Sequence, residues 1–159
     1  YMHDDVGFNY RLTNLQAAIG CGQMSNIEYL ITRRREIAQI YNRNLNELNH
    51  KHVILPIEKP WAKNVYWMYH VILMEHLKNH RSYILSKLQE SGIETREGFI
   101  PYNMQKIFID SGWTNVDECP TANKIAYSSF YLPTSPNLTE AEINYVSDNL
   151  LSVIRNIQI

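Results

Sequence analysis

Neither sign of charge prevails in this sequence. Fifteen lysines and arginines face 16 aspartates and glutamates, leaving a formal net charge of −1. Long-range attraction to nucleic acid or to an anionic membrane needs a clear excess of positive charge, so composition gives no case for either partner. Cysteine is scarce: Cys21 and Cys119 lie far apart, with no CxxC spacing. They read as reduced thiols of a cytoplasmic protein and exclude a disulfide framework. No apolar run approaches the ~18 residues of a membrane span, and no basic-then-apolar leader opens the chain. No Gly-rich phosphate loop follows a strand, and no Gly-x-Ser-x-Gly elbow occurs. Methionine does not stand first, and Met2 sits close to a structured motif, so the beginning reads as missing.

What remains is an ordinary globular composition: 159 residues, 45% hydrophobic and 19% charged. A chain of this length buries roughly 70% of the surface its unfolded form exposes, enough for one core. Thr13 and Gln16 form a T-x-x-Q capping box, and no proline follows until Pro56. That predicts one helix over 14–48, on the order of 50 Å long at 1.5 Å per residue. Its second half carries an apolar stripe of Ile27, Leu30, Ile31, Ile37, Ala38, Tyr41, Leu45 and Leu48. Its first half, Ala17 to Gly22, has no polar face and calls for a large neighbour that the chain does not supply.

The apolar and aromatic run 65–74 predicts a strand covered on both faces. Asn79 is placed to cap a helix through Ser91, with Gly92 as its stop. A second strand is expected over 93–101, a short helix over 105–109, another over 120–127 and a brief strand over 130–133. Thr139 with Glu142 repeats the capping box and launches a last helix with Ile143, Val146, Leu150, Leu151 and Ile154 inward. The expected class is α/β, more narrowly a small α+β domain: a long N-terminal helix packed on a small sheet with flanking helices.

Chemistry-bearing residues are few. The triple arginine 33–35 suggests phosphate, but Arg34 lies on the apolar stripe, and arginines snorkelling from a buried face account for it more simply. His76 and His80 have metal-compatible i, i+4 spacing without a supporting carboxylate, so no metal site is expected. A Schiff-base enzyme needs a lysine in a desolvated pocket. The seven lysines, at 51, 59, 63, 78, 87, 106 and 124, all fall in polar or helix-surface settings. The turn at Gly7, Asn9 and Arg11 is different. Asn9 and Arg11 alternate along the chain just before a capped helix, and both offer donors suited to phosphate or carboxylate oxygens. An anion-binding turn and a purely structural turn both account for it.

"VGFNYRLTNLQAAIG" and "RRREIAQIYNRNL" resemble the DegT/StrS-type sugar aminotransferases. "VYWMYHVIL", "SGIETREGFIP" and "LPTSPNLTEAEINYVSDNL" agree with the family in order and spacing, and the wording is most similar to the perosamine-synthase subgroup. The resemblance implies the C-terminal domain of the aspartate-aminotransferase type I fold, with pyridoxal 5'-phosphate as cofactor. The implied reaction transfers an amino group from glutamate to a nucleotide-linked 4-keto-6-deoxy sugar, for cell-surface polysaccharide synthesis. It further implies an interface turn and connecting helix over 1–48 and a small α+β domain over 49–159. The cofactor-binding large domain, with its lysine, would lie upstream, so no catalytic residue is expected here. Asn9 takes the position that reaches the cofactor phosphate of the neighbouring subunit in a homodimer. Arg11, Arg96 and Asn103 take positions near substrate, although Asn103 stands where many relatives carry a histidine. A stand-alone dimerisation module and a dehydratase relative are the alternatives.

Overall fold

The computed structural model describes residues 2–157. Tyr1 and residues 158–159, the ends of the two expected segments, lie outside them. The predicted long helix divides into α1 (Asn14–Met24) and α2 (Ile27–Asn44). Local competition for backbone carbonyls explains the break. Ser25 Oγ and Asn26 Nδ2 both donate to the Gly22 carbonyl, at 2.8 and 3.3 Å, and Asn26 N–H turns back to Gln23. Such side chains offer the backbone an alternative to the helical ladder. The Thr13 box is present as expected: its hydroxyl accepts from Gln16 N–H at 3.3 Å, and Gln16 Oε1 accepts Thr13 N–H at 2.8 Å.

Four antiparallel strands follow: β1 (Val53–Ile54), β2 (Tyr69–Leu73), β3 (Arg96–Glu97) and β4 (Ser129–Leu132), in the spatial order β1-β2-β4-β3. The helices between and after them are α3 (Arg81–Glu90), α4 (Lys106–Asp110), α5 (Pro120–Ser128) and α6 (Glu140–Arg155). Of the three predicted strands, the one over 130–133 is present as β4, shifted by one residue, whereas those over 65–74 and 93–101 are shorter than expected. Residues 65–68 leave the ladder because Tyr66 turns to a positive φ of 46°, and only Arg96 and Glu97 of the second run pair with β4. The helix expected from Asn79 begins as a 3-10 turn over 75–80, and no side chain caps α3. It stops at Gly92, whose φ of 73° favours glycine. The Thr139–Glu142 box opens α6 as predicted.

One face of the sheet, with Tyr69, Val71, Leu73, Phe130 and Leu132, packs on α2, α3 and α6 to form the core. The second half of α2 enters this core through Ile37, Ala38, Tyr41 and Leu45; Ile27, Leu30 and Ile31 are only half-buried. Tyr41 hydroxyl donates to the Pro133 carbonyl at 3.0 Å, and Tyr69 hydroxyl donates to Asn42 Oδ1 at 2.6 Å. Burial holds both phenols well above their ordinary range.

Candidate functional site

None of residues 2–26 is buried. Residues 6–13 run without helix or strand, and Phe8 and Tyr10 stack with ring centroids 5.5 Å apart. Side chains two apart on an extended backbone share a side. The stack therefore puts Phe8 and Tyr10 on one side and Asn9 and Arg11 on the other. In α1, which follows, Leu15 and Ile19 are exposed and no residue is buried. This segment touches the rest of the fold through His3 N–H, which donates to Gln105 Oε1 at 3.2 Å. The turn expected at Gly7 is not formed: residues 6–13 are extended, Gly7 has no positive φ, and the alternation of side chains alone separates Asn9 and Arg11 from the two rings.

The arginine triple does structural work. Arg33 donates to the carbonyls of Pro136 and Leu138 and pairs with Glu36 at 2.9 Å. Arg34 Nη1 donates to the carbonyls of Trp67 and Thr134, at 2.8 and 3.3 Å. Arg35 grips both carboxylate oxygens of Glu58 at 2.7 and 3.0 Å, which pulls that carboxyl well below its ordinary range, to about 2.

Arg96 lies far along the chain from the front segment. It sits on exposed strand β3, opposite Tyr131 in the register, and pairs with Glu94 at 3.3 Å. Asn103 is 2% exposed. Its amide nitrogen donates to the Val116 carbonyl and to Asn123 Oδ1, each at 2.9 Å, while its Oδ1 has no partner. Here Asn103 holds the 102–123 loops together, and its donors are not presented to a ligand. The four residues therefore fall in separate places: a front segment, a strand edge and a loop core.

Six of the seven lysines are exposed and Lys87 is half-buried; Lys78, Lys87, Lys106 and Lys124 pair with carboxylates. None stands in an apolar pocket where a neutral amine would be favoured. His76 meets His52, not His80, with Nε2 3.2 Å from His52 Nδ1. No metal-suited group of three or more His, Cys, Asp or Glu is found among the described residues. No helix among them is long and apolar enough to cross a membrane.

The row of side chains on the outer sheet face escaped the sequence reading. Register pairs His70 with Tyr131 and Tyr131 with Arg96. The His70 and Tyr131 rings stack at 4.7 Å, and Phe99 joins Tyr131 to Trp67 through centroid distances of 5.7 and 6.4 Å. Burial pushes the His70 imidazole below its ordinary value, and its Nε2 has no partner. Period-two alternation in β2 was the available signal, but nothing local announces which strands lie beside it.

A small antiparallel sheet backed by helices, with an exposed extended segment and helix in front, is the fold of the C-terminal part of solved sugar aminotransferases. PseC from Helicobacter pylori, an aminotransferase involved in the biosynthesis of pseudoaminic acid, shares this fold at a TM-score of 0.80 and 20% identity. That match covers 97% of this chain and 40% of PseC. The E. coli GDP-4-keto-6-deoxy-D-mannose-3-dehydratase, solved with bound hydrated PLP, matches at a TM-score of 0.72 and 18% identity, over 91% of this chain and 36% of its own. The chain belongs to the DegT/DnrJ/EryC1/StrS aminotransferase family, whose profile matches residues 1–151. GDP-perosamine synthase of Escherichia coli O157:H7 is 31% identical over 150 residues, which is 94% of this chain and 38% of that enzyme. The chain thus spans about two-fifths of the length of these relatives.

Proposed function

We propose that this chain is the C-terminal part of a pyridoxal-phosphate-dependent aminotransferase acting on a nucleotide-linked 4-keto-6-deoxy sugar with glutamate as amino donor. The observation that carries this reading is the exposed front, residues 2–26, which offers Asn9 and Arg11 beside an unburied apolar helix. Such a surface suits a homodimer in which Asn9 donates to the phosphate of the cofactor held by the other subunit. Pyridoxal phosphate, when bound, supplies the electron sink and carries the amino group between donor and sugar. The donor chemistry of the front segment fits that group; the lysine that anchors it belongs to the upstream region.

Within this chain the roles are binding and positioning. Arg11 meets an anionic substrate group near the front segment. Arg96 meets the nucleotide diphosphate from the sheet edge, in exchange with Glu94. Asn103, proposed near the sugar, acts through loop 102–123, which its two donated hydrogen bonds hold in shape.

The test uses the intact gene product with glutamate and a GDP-linked 4-keto-6-deoxy sugar, followed by mass spectrometry of the sugar nucleotide. Replacement of the keto oxygen by an amine is the expected result. Loss of a hydroxyl without retained nitrogen would assign the protein to the dehydratase side of the fold, and an unchanged sugar would overturn both readings.

A further inference from the structure

Sequence spacing sets His76 beside His80, but the fold gives it another partner. His52 stands one residue before β1, and His76 lies in the 3-10 turn that follows β2. Val53 pairs with Leu73, and Met74 N–H donates to the His52 carbonyl at 2.9 Å. Strand register therefore brings the two imidazoles together at the end of the ladder. His52 Nδ1 lies 3.2 Å from His76 Nε2, and the rings stand edge to face, with centroids 5.4 Å apart and planes at 68°. They meet at these nitrogens and do not stack. His76 is exposed and His52 half-buried, so water competes for both groups and a hydrogen bond between them adds little to the fold. The other ring nitrogens, His52 Nε2 and His76 Nδ1, have no hydrogen bond among the described residues, which leaves either tautomer open to each ring.

We infer that His52 and His76 form a two-imidazole chelate for a divalent transition-metal ion of the zinc, nickel and copper class. Two nitrogens bound at about 2 Å to one tetrahedral ion stand about 3.3 Å apart. The observed 3.2 Å matches that separation. Each imidazole binds as a neutral lone-pair donor. The ring that donates the hydrogen bond carries its proton on its other nitrogen instead, so a neutral pair takes up the ion with no net loss of protons. Magnesium and calcium prefer oxygen ligands, and the neighbouring carboxylate, Glu75, is already paired with Lys78 and Lys124. Water completes the coordination. An ion held there ties edge strand β1, which has only two ladder residues, to the turn after β2.

The experiment titrates the intact gene product with Ni2+ alone by calorimetry and reads the copper-loaded protein by electron paramagnetic resonance. The unsubstituted protein should show two imidazole nitrogens on the first Cu2+ bound. His52→Gln and His76→Gln should each weaken Ni2+ binding roughly a hundredfold, since losing either ligand loses the chelate. The double substitution should fall well short of the product of the two losses, because both rings serve one ion. His80→Gln, at the i+4 position, should change nothing. Unchanged affinity in both single variants would leave the pair as a hydrogen bond only and overturn the inference. Losses that multiply in the double variant would assign each ring its own adventitious ion and overturn it equally. The aminotransferase reading stands under every one of these outcomes.

Discussion

At the scale of single residues, the account distinguishes side chains that serve the fold from those held out for a ligand. Asn9 is proposed to belong to the second kind: it is exposed in an extended segment that makes no packing demand on it. In the intact protein, Asn9→Ala should weaken pyridoxal-phosphate retention roughly tenfold, the loss of one hydrogen bond to a charged group. Dialysis against free amine, followed by cofactor absorbance, reads that loss. Mixing Asn9→Ala subunits with subunits that lack the cofactor lysine should restore one working site per mixed dimer. Tyr69 belongs to the first kind. Tyr69→Phe removes the hydroxyl donor to half-buried Asn42 and should cost about 1 kcal/mol by chemical denaturation.

The elements show what a sequence can and cannot announce. Capping boxes are local, so Thr13–Gln16 and Thr139–Glu142 were legible, and Gly92 was legible as a helix stop. The break at Ser25–Asn26 was not, because two polar side chains turning onto one carbonyl look the same in sequence as two helix-surface residues. Strand ends were missed because they depend on partners far along the chain. Asn103 was read as substrate-facing, and its place in a loop core depends on Val116 and Asn123, which no spacing rule brings to it. Asn9 and Arg11 were singled out by their donor chemistry and the family wording, and Arg96 by the family wording alone; the turn expected around Gly7 was misread, because an exposed Gly-x-Asn-x-Arg stretch can equally run extended.

Two predictions concern elements. Strand β3 joins β4 through Gly98, where an added Cβ would stand 2.3 Å from Ser129 Oγ and 3.3 Å from the Ala126 carbonyl. Gly98→Ala should destabilise by about 1–3 kcal/mol, an overpacking cost. Ser129 Oγ is buried without a partner, so Ser129→Ala should be close to neutral alone and should recover part of the Gly98→Ala loss. A double-mutant cycle in thermal denaturation checks both. The loop 55–66 is tied to α2 by Glu58, with its carboxyl held at about 2 by Arg35. A lowered carboxylate value means stability that is present above the usual pKa of ~4.3 and lost as pH falls toward 2. The loop should therefore loosen between about pH 4 and 2, and Glu58→Gln should abolish that transition; amide hydrogen exchange of residues 58–66 follows it.

The whole molecule is a packed core carrying an unpacked front. Helices α2, α3 and α6 cover one sheet face, whereas residues 2–26 contribute no buried side chain and present Phe8, Tyr10, Leu12, Leu15 and Ile19 to solvent. Surface of that kind is normally covered by another polypeptide surface. The chain also lacks a lysine in an apolar pocket and spans about 38% of the GDP-perosamine synthase it resembles. Both observations accord with the function proposed above, whose central claim is that a cofactor-bearing domain outside these 159 residues completes the chemistry. The mass of the native gene product in its own cells, read with an antibody against this domain, tests that claim most directly. A polypeptide more than twice the 18.7 kDa of this chain is the predicted result. A product of 18.7 kDa, with no lysine-bearing partner recovered beside it, would contradict the account.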